Sequence, residues 1–234
     1  MPAYRMISAD SHMIEPPNLW IERLDKKYRD SAPHVEESAK GSYFVAPGIQ
    51  PSRVALGFAA GRSGKELEDY FKKGSYAVAR PSGWDPVDRV SRSQDAVKVG
   101  CLLPAPPTKG ERFPRLTLVS SENDSGWFPH YLYRLDHADD KFNAMSDEPL
   151  PMKPSVYVRR QVMVTFQDDP IGPMTSKIFG EDNYMWASDF PHSDSTWPNS
   201  RKVIDTEFVG LSEEVRNKIV CGNAAKVYGI KFDA

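Results

Sequence analysis

Acidic and imidazole side chains follow short apolar segments near both ends of the chain. Asp10 and His12 come directly after Tyr4–Ala9, and Asp189 comes directly after Tyr184–Ser188. If the extended geometry continues past the first segment, Asp10 and His12 point to the same side and one cation can bind both. Carboxylate and imidazole ligands on parallel strand ends suit zinc or manganese with a position left open for water or substrate. The alternative is structural: Asp10 caps the next turn and His12 bonds a loop.

Two further residues at the same predicted strand ends have side chains that transfer protons. Glu122 follows the strand candidate Leu116–Ser121, and His192 lies three residues after Asp189. The carboxylate can ligate a metal or act as an acid or base, and the imidazole can orient a substrate or donate a proton. Each has a structural alternative, Glu122 as a solvated loop acid and His192 as a partner within its own turn.

Other kinds of catalytic site lack their sequence elements in this chain. The glycine-rich segment 57–64 does not have the lysine-serine ending of a phosphate-binding loop. There is no Gly-x-Ser-x-Gly element and no cysteine with a histidine poised to activate it. Metal-assisted chemistry is the class that remains.

The elements that must position these residues alternate between short apolar strands and helices. The predicted strands are Tyr4–Ala9, Val97–Leu103, Leu116–Ser121, Gln161–Phe166 and Tyr184–Ser188. The predicted helices cover Trp20–Tyr28, Asp85–Ala96, Trp127–Leu135, Pro154–Arg160 and a segment that begins at Ser212, with Asn223 capping a last turn toward Tyr228. This order favours a parallel α/β sheet or barrel.

The segment 13–83 interrupts that alternation. It contains short β-prone pieces at Tyr43–Ala46 and Arg53–Phe58 and a polar helix candidate at Glu66–Lys72. We interpret it as a cap insertion after the first strand, within a single domain that covers residues 1–234.

Composition excludes several classes of partner. The 234 residues include 30 basic and 32 acidic side chains, so no strong field is available to gather nucleic acid or anionic lipid. No apolar run reaches the roughly 18 residues that a membrane span needs, and the first ten residues do not have the order of a signal peptide. We expect a cytoplasmic protein that acts on a small molecule.

Four segments of the sequence together form a recognisable pattern: Ile7–His12 with Glu15 and Pro16, Phe113–Leu116, Met185–His192, and Gly222–Ala225 with Tyr228. This pattern resembles the amidohydrolase superfamily, in the branch of aminocarboxymuconate-semialdehyde decarboxylase and the resorcylate-type decarboxylases. The resemblance implies a (β/α)8 barrel with a divalent metal at its carboxyl-terminal rim. It also implies hydrolysis or decarboxylation of small, often aromatic, carboxylated substrates.

Carried over by position, the resemblance makes Asp10, His12 and Asp189 metal ligands and gives Asp189 a further role as proton acceptor. Glu122 falls where many decarboxylating relatives have a catalytic histidine. A middle-strand histidine ligand is also expected, and no histidine stands between His34 and His130.

The length of the chain explains why the middle-strand histidine is missing. Outside the cap, the chain is too short for eight strand-helix units of about 30 residues each, and only five barrel strands are identifiable. We therefore infer an internal deletion at about Pro104–Gly110 and an incomplete barrel. Its open edges need another chain, as in a homo-oligomer, or a rearranged sheet. The functional alternative is a catalytically inactive remnant of the family that persists as a folded or oligomerising protein.

Overall fold

The computed structural model divides the chain into two compact units. The first comprises residues 1–10, 95–188 and 199–234, and the second comprises residues 11–94 and 189–198. The chain therefore passes from one unit to the other four times. The described residues are 4–12, 14–85, 88, 96–97, 117–146 and 149–231.

Five strands of the first unit pair in parallel. They are β1 (Ile7–Ser8), β5 (Ala96–Val97), β6 (Leu118–Ser120), β7 (Val162–Phe166) and β8 (Tyr184–Trp186). β1 pairs with β5, and β7 lies between β6 and β8. The backbone N–H of Ala9 donates to the carbonyl of Trp186 at 3.1 Å, which joins the ends of β1 and β8. The predicted parallel α/β organisation is confirmed for this unit.

The strands form because their apolar runs are buried on both faces. Every residue of β6, β7 and β8 is buried, as is typical of parallel strands covered by helices on either side. Aromatic rings fill the centre of this core. Phe166 stacks on Phe208 at 6.1 Å between ring centroids and meets Tyr184 edge-on at 6.5 Å.

In the described part of this unit, six helices accompany the strands: α3 (Trp127–Phe142), α4 (Pro154–Gln161), α5 (Ile171–Phe179), α6 (Ser200–Glu207), α7 (Glu213–Asn217) and α8 (Asn223–Tyr228). Pro154 occupies the first turn of α4, where its missing N–H costs nothing. The Ser212 hydroxyl accepts from the Val215 N–H at 3.3 Å and caps α7. A π-helical turn, Lys218–Gly222, continues α7 into α8.

The described residues of the second unit include an antiparallel three-stranded sheet and two α-helices. Its elements are α1 (Leu19–Arg23), β2 (His34–Ser38), β3 (Gly41–Val45), β4 (Ser52–Arg53) and α2 (Gly64–Lys73). β3 lies between β2 and β4. Gly41 closes the β2–β3 hairpin with φ of 107°, and a Cβ there would lie 2.4 Å from the Gly74 carbonyl oxygen, so only glycine fits. Val54, Phe58 and Tyr70 belong to the core of this unit.

Several predicted elements differ from the structure. Of the β-prone piece Arg53–Phe58 only Arg53 lies in a strand, because a 3-10 helix runs over Val54–Phe58. The predicted helix Trp20–Tyr28 is broken: α1 ends at Arg23, and Asp25 accepts from the Lys27 N–H to start a separate 3-10 turn. The strand β2 and the helices α5 and α6 were not predicted. Most of the predicted helix Asp85–Ala96, most of the strand Val97–Leu103 and the inferred deletion at Pro104–Gly110 lie outside the described residues.

Within the described part of the chain, none of the helices has both the length and the apolar character that crossing a membrane requires. The interpretation of residues 13–83 as a cap insertion within one domain stays a prediction.

The sequence predicts that Asn223 caps a last helical turn, but in the structure its side chain has a different role. It is 4% exposed, and its Nδ2 donates to the carbonyls of Glu181 at 2.7 Å and Tyr184 at 2.8 Å. We expect Asn223→Ala to lower the free energy of unfolding by about 2–3 kcal/mol, because it removes one buried and one part-buried hydrogen bond. Urea denaturation measures the change. Asn199→Ala is the matched control, since Asn199 is exposed and its side chain caps nothing; a loss of equal size there would contradict the assignment.

A carboxyl group at the end of α6 makes stability depend on pH. Burial, and then the negative charges of Asp168, Asp169 and Asp124, raise the pKa of Glu207 from 4.5 to about 7. Between pH 4.5 and about 7 the folded state keeps a proton that the unfolded state has lost, so the free energy of unfolding falls as pH rises through this window. We expect Glu207→Gln to be more stable than the parent chain by about 1 kcal/mol at pH 8, a value discounted for solvent screening.

Urea unfolding at pH 4 and pH 8 checks this expectation. The advantage of Glu207→Gln should vanish at pH 4, where Glu207 is protonated in both states. A difference of the same size at both pH values would show that the substitution acts through packing instead.

Candidate metal centre

Two histidine side chains of the second unit converge on one carboxylate oxygen of a third residue, Asp189. Oδ1 of Asp189 lies 2.9 Å from Nε2 of His12 and 3.1 Å from Nδ1 of His192. The two imidazole rings stack on each other, with centroids 3.8 Å apart and planes inclined by 23°. Each residue offers one ligand atom, and these atoms lie within 4.8 Å of one another. We call His12, Asp189 and His192 the carboxylate-imidazole triad.

Backbone hydrogen bonds place the triad. The N–H of His12 donates to the Phe190 carbonyl at 2.7 Å, which ties the segment after β1 to the segment after β8. The N–H of His192 donates to the carbonyl of Asp189 at 3.0 Å and closes the turn between them. The N–H of Ala60 donates to the Pro191 carbonyl at 3.0 Å and anchors this turn to the rest of the unit.

Asp189 has an unusual backbone conformation. Its φ of 53° lies in the left-handed region, which L-residues other than asparagine and aspartate seldom adopt. Such a conformation costs about 1 kcal/mol and persists where the surrounding contacts hold it, often at functional sites. In this protein the left-handed conformation occurs at Asp189, whose carboxylate contacts both His12 and His192.

The electrostatics of the triad favour an ionised carboxylate. Burial by itself would raise the pKa of Asp189, but hydrogen bonds from His12 and His192 outweigh it, and the pKa is lowered from its usual value. The Asp189 side chain is 9% exposed, whereas those of His12 and His192 are 24% and 33% exposed. The triad therefore combines a buried anionic oxygen with two imidazoles that reach solvent. This donor set fits zinc or manganese.

Asp10, the other predicted ligand, lies in the first unit. It is 3% exposed, and its carbonyl accepts from the Ser8 hydroxyl at 2.6 Å. β1 ends at Ser8, so the strand alternation expected to align Asp10 with His12 does not extend to them. The Tyr228 hydroxyl donates to the Ala9 carbonyl at 3.0 Å, and burial followed by the Asp10 charge raises the pKa of Tyr228. The ligand role of Asp10 stays a prediction.

Glu122 also lies in the first unit, two residues past the end of β6. It is exposed, and its φ of 60° is again left-handed, as is that of Asp124 at 50°. Its predicted role as a ligand, acid or base stays a prediction.

Sequence reasoning placed His192 near the site but did not foresee its direct contact with Asp189. The sequence signal for this contact was the spacing, because His192 lies three residues after Asp189 and a tight turn brings residues i and i+3 together. The stacking of His12 on His192 had no signal in the sequence.

Comparison with known proteins gives a family match. The family model described as amidohydrolase matches residues 111–230, just over half of the chain. No curated protein sequence matches the chain.

Among solved structures, the chain is similar to a 5-carboxyvanillate decarboxylase from Sphingomonas paucimobilis, with 28% identity over 52% of this chain and 36% of that one and a TM-score of 0.44. It is also similar to a 5-carboxyvanillate decarboxylase from Novosphingobium aromaticivorans with bound manganese (20% identity over 51% and 35% of the two chains, TM-score 0.43). A third is a dihydroxybenzoic acid decarboxylase from Polaromonas with bound manganese and 2-nitroresorcinol (18% identity over 53% and 36%, TM-score 0.42).

The chain thus spans only about a third of the length of these solved proteins. The family model, in contrast, covers the segment that includes Asp189 and His192. The chain belongs to the amidohydrolase family.

Proposed function

We propose that the chain binds a divalent cation, manganese or zinc, and acts as a metal-dependent carboxy-lyase or hydrolase on a small carboxylated aromatic substrate. The observation that carries the proposal is the convergence of His12 and His192 on one carboxylate oxygen of Asp189. Family membership supports the same chemistry. Balanced charge supports a small-molecule substrate in preference to a nucleic acid.

His12 and Asp189 are the ligands in this proposal. Ionised Asp189 supplies the anionic oxygen and His12 supplies Nε2, two of the ligand types that zinc and manganese take in proteins. The cation, when bound, supplies Lewis-acid polarisation of a carboxylate or carbonyl and activation of water.

His192 is the proposed proton-transfer residue. Asp189 contacts its Nδ1 and thereby orients the ring, which leaves Nε2 as the nitrogen that exchanges a proton with the substrate. Its side chain is 33% exposed, so a substrate in solvent can reach the imidazole.

The family resemblance extends the proposal to three points that rest on sequence. Asp10 would serve as a further ligand, and Glu122 would serve as an acid or base. The first unit would be an incomplete (β/α)8 barrel; its five parallel strands and accompanying helices support this. Asp10→Asn and Glu122→Gln, assayed for metal content and turnover, test the two residues separately.

Metal analysis of the purified full chain is the first test. We expect close to one equivalent of manganese or zinc after reconstitution and removal of excess metal by desalting. Turnover is then assayed with two aromatic acids. The first is 5-carboxyvanillate, which one similar solved protein is named for, and the second is 2,6-dihydroxybenzoate, which is bound in another similar solved protein. Absence of bound metal in the parent chain would refute the proposal, and bound metal without turnover of any aromatic acid would favour the inactive remnant.

The role of His192 is tested by His192→Gln. We expect turnover to fall by about 10²–10⁴-fold, as for loss of a general acid or base, while metal content stays at the parent level. If metal content falls together with activity, His192 is a ligand and not the proton-transfer residue.

A further inference from the structure

Two of the three triad residues lie on a short stretch that is not continuous in the chain with the rest of its unit. The second unit consists of residues 11–94 and 189–198, and Asp189 and His192 belong to the shorter stretch. His12 belongs to the longer one. The geometry of the triad therefore depends on the contacts that hold residues 189–198 against residues 11–94.

Trp197, near the end of the short stretch, packs against two residues of the longer one. A Cβ on Gly61 would lie 2.6 and 2.9 Å from two carbons of the Trp197 ring, so the indole lies against bare backbone. The φ of Gly61 is 73°, which also favours glycine. The Arg80 guanidinium lies over the same ring, 4.7 Å from its centroid, in a cation–π contact. We call Gly61 and Arg80 the Trp197 socket.

Phe190 connects the indole to the triad. Its ring meets the Trp197 ring edge-on, with centroids 5.5 Å apart and planes inclined by 69°. Phe190 directly follows Asp189 in the chain, and its carbonyl accepts from the N–H of His12 at 2.7 Å. A displacement of Phe190 would therefore move Asp189 through the chain and His12 through this hydrogen bond.

The socket is also tied to the turn that carries His192. Nε of Arg80 donates to the carbonyl of Ala60 at 2.9 Å, and the N–H of Ala60 donates to the Pro191 carbonyl at 3.0 Å. Such support matters because the left-handed backbone of Asp189 persists only where the surrounding contacts hold it. The packing of Trp197 in its socket supplies contacts of this kind from the far end of the short stretch.

We propose that Trp197 is a positioning residue for the carboxylate-imidazole triad. Held in its socket, the indole fixes Phe190 and thereby sets the distances from the Asp189 carboxylate to the two imidazoles. Trp197 acts through Phe190 and takes no part in ligation or proton transfer. The inference rests on the proposed function for the statement that the triad binds a cation, since residues that orient ligands tune metal affinity.

Histidine-selective NMR of the full chain without metal tests the positioning step. The rings of His12 and His192 stack with centroids 3.8 Å apart, so each ring shields the protons of the other. We expect Trp197→Leu to move the side-chain resonances of both histidines toward that of the exposed His130. Gly61→Ala should have the same effect although it keeps the indole, because the added methyl group displaces the ring. Trp197→Phe, which keeps an aromatic ring for the socket, should restore the parent resonances.

Tyr43→Leu is the matched control. Tyr43 is a half-buried aromatic residue on β3 of the same unit, and the Arg53 guanidinium lies over its ring, 6.0 Å from the centroid. It shares the aromatic character and the cation–π contact of Trp197 but lies outside residues 189–198. We expect Tyr43→Leu to leave both histidine resonances at their parent positions, and circular dichroism should show that every variant keeps the parent fold.

Metal affinity supplies the functional measurement. Competition against a fluorescent chelator should show that Trp197→Leu weakens Mn²⁺ binding by about 10- to 100-fold, the range for residues that orient ligands. Trp197→Phe and Tyr43→Leu should bind Mn²⁺ as the parent chain does.

The possible outcomes distinguish this proposal from the proposed function. Parent-like histidine resonances or parent-like metal affinity in Trp197→Leu overturn the positioning role, as do an equal displacement in Tyr43→Leu and a lack of rescue in Trp197→Phe. A parent chain that binds no metal but shows the expected resonance shifts refutes the proposed function and supports the positioning role. If Trp197→Leu loses its fold, Gly61→Ala and Trp197→Phe decide by the same criteria.

Discussion

Replacing Asp189 by asparagine is expected to lower the affinity for Mn²⁺ or Zn²⁺ by at least about 100-fold, more than the 10- to 100-fold typical of residues that only support a ligand. Asparagine keeps the volume and tolerates the left-handed conformation, so the change removes the negative charge and little else. Competition against a fluorescent chelator measures the affinity.

Asp194→Asn provides the matched control, because Asp194 lies in the same segment of the second unit and is exposed. We expect its metal affinity to equal that of the parent chain. Equal losses in the two variants would mean that binding reflects general negative charge. Parent-like affinity in Asp189→Asn would remove Asp189 from the metal site.

Truncation of Trp186 to alanine is expected to lower the free energy of unfolding by about 3–5 kcal/mol, the range for removal of a buried tryptophan. Trp186 is fully buried at the end of β8, three residues before Asp189. Among the described residues its indole N–H has no hydrogen-bond partner, so its contribution is packing. Urea denaturation at constant pH measures the loss against a total of about 5–15 kcal/mol for a typical protein.

Trp186→Phe separates packing from polarity. It keeps an aromatic ring and removes an N–H that bonds to nothing described, so we expect a smaller loss of about 1–2 kcal/mol from the reduced volume. If Trp186→Phe were as destabilising as Trp186→Ala, the indole nitrogen would have a bonding role.

The parallel strands could be predicted from the sequence because their burial on both faces leaves continuous apolar runs. β7 and β8 lie within one residue of their predicted starts, and Asp189 follows β8 as expected. The positions of the candidate site residues along the chain could therefore be predicted from the sequence. What brings them together depends on long-range hydrogen bonds, such as that from His12 to Phe190, which leave no mark on local sequence.

The missed elements have physical reasons of the same kind. Val54–Phe58 has β-prone composition, yet tertiary packing of Phe58 in the core of the second unit favours a 3-10 turn. Helix α5 was not predicted because its glycine and proline are poor helix formers and because Ile171, Met174 and Ile178 are exposed rather than buried. The left-handed backbone of Asp189 could not be predicted either, because aspartate permits that conformation but does not require it.

The discontinuity of the second unit has a consequence for synthesis on the ribosome. Its first stretch ends at residue 94, and its second stretch begins at residue 189. His12 therefore emerges long before the carboxylate that it contacts, because the 176 residues 13–188 lie between His12 and Asp189 and must be translated first. Contacts between such distant residues form slowly, because loop closure must come before any gain in energy. A nascent chain that has not reached residue 189 has no carboxylate-imidazole triad, so the triad cannot form until the second stretch of this unit has been synthesised.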